Sequence, residues 1–402
     1  MLKQTNNKNI FILYIVYYLS FFIVFTKTRD SALSEYTSSV LIIMIFFIFL
    51  SLNFLNNKYI KMNFFLLSMI IIFFMLLAPI IKTYFYAIVL YIEVLLISLF
   101  FSRTYIKKES FIKFLNITYL SYLLVSILVW INLIPNFVYD ASFFYVNEFY
   151  VDLGFIGWYI LPGFDGSPAG LDAYSAAIAI INILFNTKRS KSIFIVFAII
   201  GVVLTFRLTP FMIFIFVGLT YYFYKYKYFS IFLMFSIFMS FILVLYLLYI
   251  DYSFLYNGKH INIWELGYVV THARTMIWVQ QLDILFDTYT LFDYIFGKFS
   301  ISLFGVPHYQ LWGAIRGDEF HGNPHNTFLL LFFRAPLLFL IMFIIFIYTV
   351  FSNYNQKRFT VIFILFLASF TNSSIISLGN PIFLIILIYF LIYKEKNETK
   401  KI

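Results

Sequence analysis

Long runs of apolar residues separated by short polar segments dominate this chain. Twelve runs are long enough to cross a bilayer, because about 20 apolar residues span its hydrocarbon core as a helix. A backbone inside hydrocarbon must satisfy its own hydrogen bonds, so each run is predicted to be helical. The pattern predicts an all-α membrane protein in which residues 1–402 form a single polytopic domain. The predicted spans are 10–26, 39–56, 63–81, 84–101, 114–134, 169–186, 192–206, 209–224, 229–250, 326–351, 359–376 and 381–393.

The loops between these runs alternate in basic charge. Of the 28 Lys and Arg residues, 19 fall in one alternating set of loops that includes both chain ends, and 8 fall in the other set. The remaining residue, Arg334, lies inside a predicted span. Short loops rich in Lys and Arg stay in the cytoplasm. Both termini are therefore expected in the cytoplasm.

Composition and charge agree with a bilayer environment. Hydrophobic residues make up 63% of the chain and charged residues only 11%, whereas a soluble domain carries roughly 25% charged residues. The net charge of +10 is carried by the short loops, so no nucleic-acid partner is expected. The sequence contains no Cys, which excludes disulfides and a cysteine nucleophile. The inner loops carry no Gly-rich phosphate-binding motif, so the chain is not expected to hydrolyse ATP.

One outer loop is much longer than the others. It runs over residues 251–325 and holds all five histidines of the protein. Long loops held on a rigid scaffold are where binding and catalytic residues concentrate. We therefore expect this extracytoplasmic loop to carry part of an active site.

Three arginines on or near the outer side predict an anion-binding pocket. Arg207 lies at the tip of a tight turn between two spans, and Arg334 lies in the span that follows the long loop. Arg274 opens a stretch to about residue 286 with apolar residues at helical spacing, which predicts an amphipathic helix on the outer face. An intramembrane arginine is costly unless it meets an anion or a polar cavity. A pyrophosphate, gripped by bidentate contacts, suits such a pocket.

His325 and Asn326 stand where the long loop ends and a span begins. Asn326 is predicted to cap that helix, which would hold His325 at the membrane surface. A histidine held there can serve as a general base near neutral pH. Metal binding by His321 and His325 is the alternative for this segment, but few acidic residues accompany them and no metal is expected.

Taken in order, these elements resemble the bacterial O-antigen polymerase and O-antigen ligase superfamily, polytopic glycosyltransferases of the GT-C type. The resemblance covers roughly residues 150–350. It rests on the twelve-span layout with one large late external loop and on three short motifs. These are the turn Thr205-Phe206-Arg207, the element from Arg274 to Trp278 followed by Phe296-Gly297, and the segment from His325-Asn326 to Leu329.

The resemblance implies an enzyme of the bacterial inner membrane, working at its outer face without a cofactor or a metal. Its reaction would join oligosaccharide repeat units, carried on undecaprenyl pyrophosphate, into O-antigen or capsular polysaccharide. Its expected partners are that lipid-linked glycan, membrane lipid and a chain-length regulator protein. The expected catalytic residues are His325, Arg274 and Arg207, and further substrate contacts are expected from Arg334, Arg316, His321, Asn326 and Trp278.

Two other functions remain as alternatives. An O-antigen ligase, which moves the finished chain to lipid A core, shares the same parts. We favour the polymerase because a composition rich in Phe, Ile, Tyr and Asn suits the AT-rich clusters that encode polysaccharide polymerases. A flippase or secondary transporter would predict inverted repeats and several charged residues near the membrane midplane. Only Glu93 and Arg334 are charged residues of this kind, and the sequence shows no repeat.

Overall fold

Helices dominate the structure, as the apolar runs predict. The computed structural model describes residues 7–18, 92–101, 104, 106–131, 150–152, 157–159, 168–186, 191–205, 213–215, 217–218, 227–256, 278, 282, 285–287, 289–296, 326–334, 336–352, 354–370 and 382–392. Eleven helices are labelled here in chain order. They are α1 (7–18), α2 (Ile92–Phe101), α3 (Lys108–Trp130), α4 (Pro168–Phe185), α5 (Lys191–Thr205), α6 (Lys227–Tyr256), α7 (Leu291–Phe296), α8 (Thr327–Arg334), α9 (Pro336–Ser352), α10 (Gln356–Ser369) and α11 (Ile382–Ile392).

A short β-hairpin, which the sequence did not predict, lies between α3 and α4. Its strands are β1 (Tyr150–Asp152) and β2 (Gly157–Tyr159). They pair antiparallel, with Val151 opposite Trp158. The fold class is therefore α-helical with one small hairpin between α3 and α4.

The described helices match most of the predicted spans, whereas spans 39–56 and 63–81 lie outside the described residues. By length and composition, one described helix, Lys108–Leu128, meets the requirement for crossing a membrane. Six further apolar helical stretches in the described part of the chain are 10 to 17 residues long, among them Leu171–Phe185 within α4 and Ile231–Leu247 within α6. The all-α prediction is thus confirmed in its main feature, while the count of twelve spans stays a prediction.

The tightest packing joins α3, α4 and α5. Ala173, Ala176 and Ala177 on α4 are buried, as is Gly201 on α5. Small side chains let helix backbones approach closely, which is common between helices in membranes. A Cβ atom at Gly201 would collide with the Tyr119 hydroxyl and the Ser175 hydroxyl. Glycine at this position therefore lets these two hydroxyls lie directly against α5.

The structure has two helices, α8 and α9, where the sequence predicts one continuous span over 326–351. In a continuous helix Phe328 and Phe343 would lie about 22 Å apart along the axis, at 1.5 Å per residue. Their ring centroids are instead 6.1 Å apart, and those of Phe328 and Phe339 are 6.4 Å apart. The chain therefore folds back between Arg334 and Pro336. Proline suits this break, because it is tolerated in the first turn of a new helix but not inside one.

This break corrects the expected place of Arg334. The hydropathy pattern predicts this residue inside a straight span, a few turns from its start. In the structure it is the last residue of α8, at the turn into α9. The span expected over 326–351 thus reduces to α9, and α8 is a separate short helix packed beside it.

Contacts among the described residues place helix ends at two opposite ends of the bundle, called poles here. At one pole the Lys108 ammonium group lies 5.9 Å from the centroid of the Phe185 ring, and Phe185 packs on Phe390. The starts of α3 and α10 and the ends of α4 and α11 meet at this pole. The end of α10, the start of α8 and the end of α5 lie at the opposite pole. We call these the lysine pole and the loop pole.

Candidate functional site

The segment that follows Arg274 docks against the loop pole through one face of a helix. Trp278, Leu282 and Leu285 are helical, recur at helical spacing and are buried, and the buried Tyr289 follows the helix. They form one apolar cluster together with Leu245 of α6 and Leu329 of α8. The stretch predicted as an amphipathic helix, from Arg274 to about residue 286, is helical at its described positions 278, 282 and 285–287, and Phe286, expected on its apolar face, is exposed.

Asn326 caps α8, as predicted. Its side-chain oxygen accepts a hydrogen bond from the Leu329 backbone N–H at 3.0 Å. Its side-chain nitrogen donates to the Phe370 carbonyl oxygen at 3.1 Å, and the residue is 0% exposed. The amide therefore ties the start of α8 to the end of α10. This arrangement fixes the backbone at the residue that follows His325.

A chain of aromatic rings joins these two features. The Trp278 ring packs edge-on against Phe241, with centroids 5.5 Å apart. Phe241 in turn packs on Phe370 at 4.9 Å, and Phe370 is the residue whose carbonyl accepts the Asn326 hydrogen bond. The sequence neighbours of Arg274 and of His325 are thus held at the same pole by direct contacts. The sequence could not reveal this pairing, because the contacts join distant segments.

The docked segment is fixed again farther along the chain. Thr290 and Asp293 form a capping box: the Asp293 carboxylate accepts from the Thr290 N–H at 2.9 Å, and the Thr290 hydroxyl accepts from the Asp293 N–H at 3.3 Å. The Tyr294 hydroxyl donates to the Leu285 carbonyl at 2.8 Å. Burial raises the pKa of the Tyr289 hydroxyl well above its usual value, with Asp293 and Tyr294 adding to the shift. Tyr289 is therefore neutral at physiological pH.

The helix before Arg207 also ends at the loop pole. Thr205 is the last residue of α5 and is fully buried. Its hydroxyl donates to the Val202 carbonyl at 2.8 Å. Because α4 ends at the lysine pole and a short connection leads into α5, the end of α5 points to the opposite pole. The residues that flank all three motifs therefore lie on one side of the helical bundle.

The predicted site residues differ in how far the structure describes them. Trp278 and Asn326 are described, and both are buried. Their predicted contacts with substrate stay predictions, and the geometry gives each of them a positioning role first. Arg334 is described as the last residue of α8. The remaining predicted residues, Arg207, Arg274, Arg316, His321 and His325, lie outside the described residues.

Sequence reasoning passed over a set of buried polar residues on α3 and α4. Asn116 and Asn182 exchange two amide hydrogen bonds, at 3.0 and 2.7 Å. The Thr118 and Tyr174 hydroxyls lie 2.8 Å apart, within hydrogen-bond distance. The available signal was the placement of polar residues inside apolar runs, since such residues usually pair across helices.

Glu93 on α2 is a further buried polar residue. Its side chain is 1% exposed, and neither carboxyl oxygen has a hydrogen-bond partner among the described residues. Within the described ranges, no group of three His, Asp or Glu side chains is arranged to hold a metal ion.

Comparison with known proteins adds no relative. No protein-family model, curated protein or solved structure matches this chain.

Proposed function

We propose that this chain is a multi-pass glycosyltransferase of the bacterial inner membrane. It polymerises undecaprenyl-pyrophosphate-linked repeat units into O-antigen or capsular polysaccharide at the outer face. The observation that carries the proposal is the packing of the Trp278 segment against the start of α8. That packing joins Trp278, four residues after Arg274, to Leu329, four residues after His325, as a shared active site requires.

The outer surfaces of several helices support a bilayer location. Large apolar side chains on α5, α6 and α9 are strongly exposed, including Val196, Phe232 and Ile344. Soluble monomers rarely expose contiguous apolar surface on this scale. Lipid tails would cover these faces. Twelve spans in the GT-C arrangement, with both termini cytoplasmic, belong to the same proposal.

The chemistry assigns a role to each charged residue of the site. His325 takes the proton of the acceptor hydroxyl, whose oxygen attacks the anomeric carbon of the lipid-linked glycan. The bond between that carbon and the pyrophosphate oxygen breaks, and the lipid pyrophosphate leaves. Arg207 and Arg274 neutralise the charge that grows on the leaving group, an effect that is large in a site shielded from water. Asn326 and Trp278 position His325 and Arg274.

Purified protein with lipid-linked repeat units tests this function. Wild type should build a ladder of polymer lengths, and His325→Ala should lower the rate by about 10²- to 10⁴-fold, as loss of a general base does. Arg274→Ala should also abolish polymer, and Arg274→Lys should restore it only in part, because lysine lacks the bidentate fork. His308→Ala is the matched control and should retain polymer formation. A normal ladder from His325→Ala would refute the mechanism.

The same assay separates polymerase from ligase through the acceptor. A polymerase extends one lipid-linked unit with another, whereas a ligase needs lipid A core. Product formed only when lipid A core is supplied would overturn the polymerase assignment in favour of the ligase.

Reporter fusions test the proposed topology independently of activity. A reporter fused after Arg189 should report the cytoplasm, and one fused at Asp293 should report the outer side. A cytoplasmic signal at Asp293 would contradict both the span count and the outer active site.

A further inference from the structure

An apolar cleft runs between α8, α9, α10 and α11, with one edge on α2. Its volume is about 300 Å³, at the lower end of the range usual for ligand pockets. Thr327 and Ser369 line it at the loop pole, and Thr349 and Ile392 line it toward the lysine pole. On α9 the lining extends from Phe339 to Thr349, which is about 15 Å at 1.5 Å per residue. This length is roughly half the hydrocarbon thickness of a bilayer.

The described lining of the cleft is almost entirely apolar. None of the described residues that line it is charged. Three of its hydroxyl groups donate to carbonyls of their own helix, namely Ser98 to Val94, Ser369 to Leu365 and Thr349 to Ile345. Their donors are therefore already used. A cavity of this kind takes apolar matter and stays dry otherwise.

The cleft is open sideways along α9. Met342 and Ile345 line it and are 37% and 53% exposed. They continue into the exposed apolar face of α9 that includes Ile344. A hydrocarbon chain in surrounding lipid can therefore enter laterally without passing through water.

One end of the cleft coincides with the candidate active site. Thr327 lines the cleft and directly follows Asn326, the cap that holds the residue after His325. Ser369 lines the same end and directly precedes Phe370, whose carbonyl accepts the Asn326 hydrogen bond. A lipid chain lying in the cleft would thus present its head group beside His325.

We propose that this cleft binds the polyprenyl tail of the lipid-linked glycan donor, an inference that rests on the proposed function. The tail lies between α9 and α11, and the pyrophosphate extends beyond the end of the cleft that Thr327 and Ser369 line. The position of the tail in the cleft then sets the distance between the anomeric carbon and His325. An ordinary acyl lipid is the competing occupant, and the continuity with the His325–Asn326 segment favours the substrate's own tail.

A photoreactive probe tests the proposal by binding alone. The probe is a polyprenyl diphosphate with a diazirine in its tail, added to purified full-length protein in lipid nanodiscs. Crosslinks should fall on peptides of α8, α9 and α11. Unlabelled undecaprenyl phosphate should compete, and an equal excess of phosphatidylglycerol should not. Equal competition by phosphatidylglycerol, or crosslinks only outside these helices, would overturn the proposal.

Two neighbouring substitutions provide a matched pair. Ile345→Trp fills the mouth of the cleft and should lower probe labelling and raise the KM for lipid-linked donor, each about tenfold. Ile344→Trp lies on the same helix, is 67% exposed and does not line the cleft, so both measurements should stay at the wild-type level. Equal behaviour of the two variants would refute the assignment. The crosslink map of wild-type protein keeps the test decisive if Ile345→Trp does not fold.

The two proposals fail in distinguishable ways. If wild type makes no polymer but the probe labels the cleft with the expected competition, the proposed function fails and the lipid site stands. If polymer forms and labelling lies elsewhere, the function stands and the cleft assignment fails.

Discussion

Two regions of this molecule hold their helices together by different means. Between α3, α4 and α5, buried polar groups interlock: Asn116 with Asn182, Thr118 with Tyr174, and Tyr119 with Ser175 at 2.9 Å. Between α8, α9 and α10, phenylalanine rings do the packing and leave a cleft of about 300 Å³. Paired buried hydrogen bonds specify geometry more strictly than apolar contacts do, because a displaced donor or acceptor is left unsatisfied. The first region suits a fixed scaffold, and the second suits a place that admits a flexible chain.

The ring-packed region shows this tolerance in its contacts. Phe343 stacks on Phe238 at 4.4 Å and also meets Phe328, Phe339 and Phe346 at 5.8 to 6.3 Å. No single contact there fixes the position of α9. The scaffold region has the opposite character, because Tyr119 also donates to the Phe197 carbonyl of α5 at 3.2 Å. Removing one partner in the scaffold leaves a buried polar group unsatisfied.

The largest expected effect comes from adding one methyl group to the scaffold. Gly201→Ala places a Cβ against the Tyr119 and Ser175 hydroxyls, so their hydrogen bond must break or α5 must move. We expect a loss of about 1–3 kcal/mol in the free energy of unfolding, after the usual gain from alanine in a helix. Denaturant titration in detergent measures it.

Gly218→Ala is the control for that substitution. A Cβ at Gly218 meets no atom within 4 Å, and alanine favours a helix over glycine by roughly 1 kcal/mol. The control should therefore be neutral or stabilising. The same sign of change in both variants would mean that close packing at Gly201 does not hold the scaffold.

A smaller effect is expected from the amide pair. Asn182→Ala leaves the Asn116 amide buried with its main partner removed, which costs about 1–2 kcal/mol. The double variant Asn116→Ala/Asn182→Ala should recover part of that loss, because no amide is then stranded. A double-mutant cycle on the free energy of unfolding gives the coupling. Strictly additive losses would show that the pair contributes no specificity.

The sequence predicted the scaffold better than the site. Runs of apolar residues set the lengths of α3, α4, α5 and α11 within a few residues, because helix formation in an apolar stretch is a local property. The buried positions Leu282 and Leu285 were predicted from the same kind of spacing, whereas the burial of Trp278 and Tyr289 was not, and Phe286, expected on the apolar face, is exposed. The break between Arg334 and Pro336 was not predicted. A hydropathy profile averages over the residues around a proline, so it does not show whether that proline kinks one helix or begins a second one.

What sequence could not supply is the meeting of distant segments. The capping role of Asn326 follows from its position before a helix, but its second hydrogen bond, to Phe370, depends on how α8 and α10 pack. The cleft likewise arises only when α8 folds back beside α9. Motifs identify the candidate chemical groups, whereas the positions of these groups relative to one another depend on tertiary packing.

The smallest expected effect tests the tolerance of the ring-packed region. Phe343→Leu keeps an apolar side chain of similar bulk, and its position lines the cleft, so neighbouring rings or a lipid chain can take up the freed space. We expect a loss of at most about 1 kcal/mol in the free energy of unfolding. Phe363→Leu is the control: Phe363 is fully buried on α10, does not line the cleft, and stacks between Phe359 and Phe366 at 5.7 and 6.2 Å. There a shape change leaves a void that nothing fills, so its loss should be larger. Equal losses from the two variants would mean that residues lining the cleft tolerate a shape change no better than other buried rings do. The two regions would then differ only in the chemistry of their contacts.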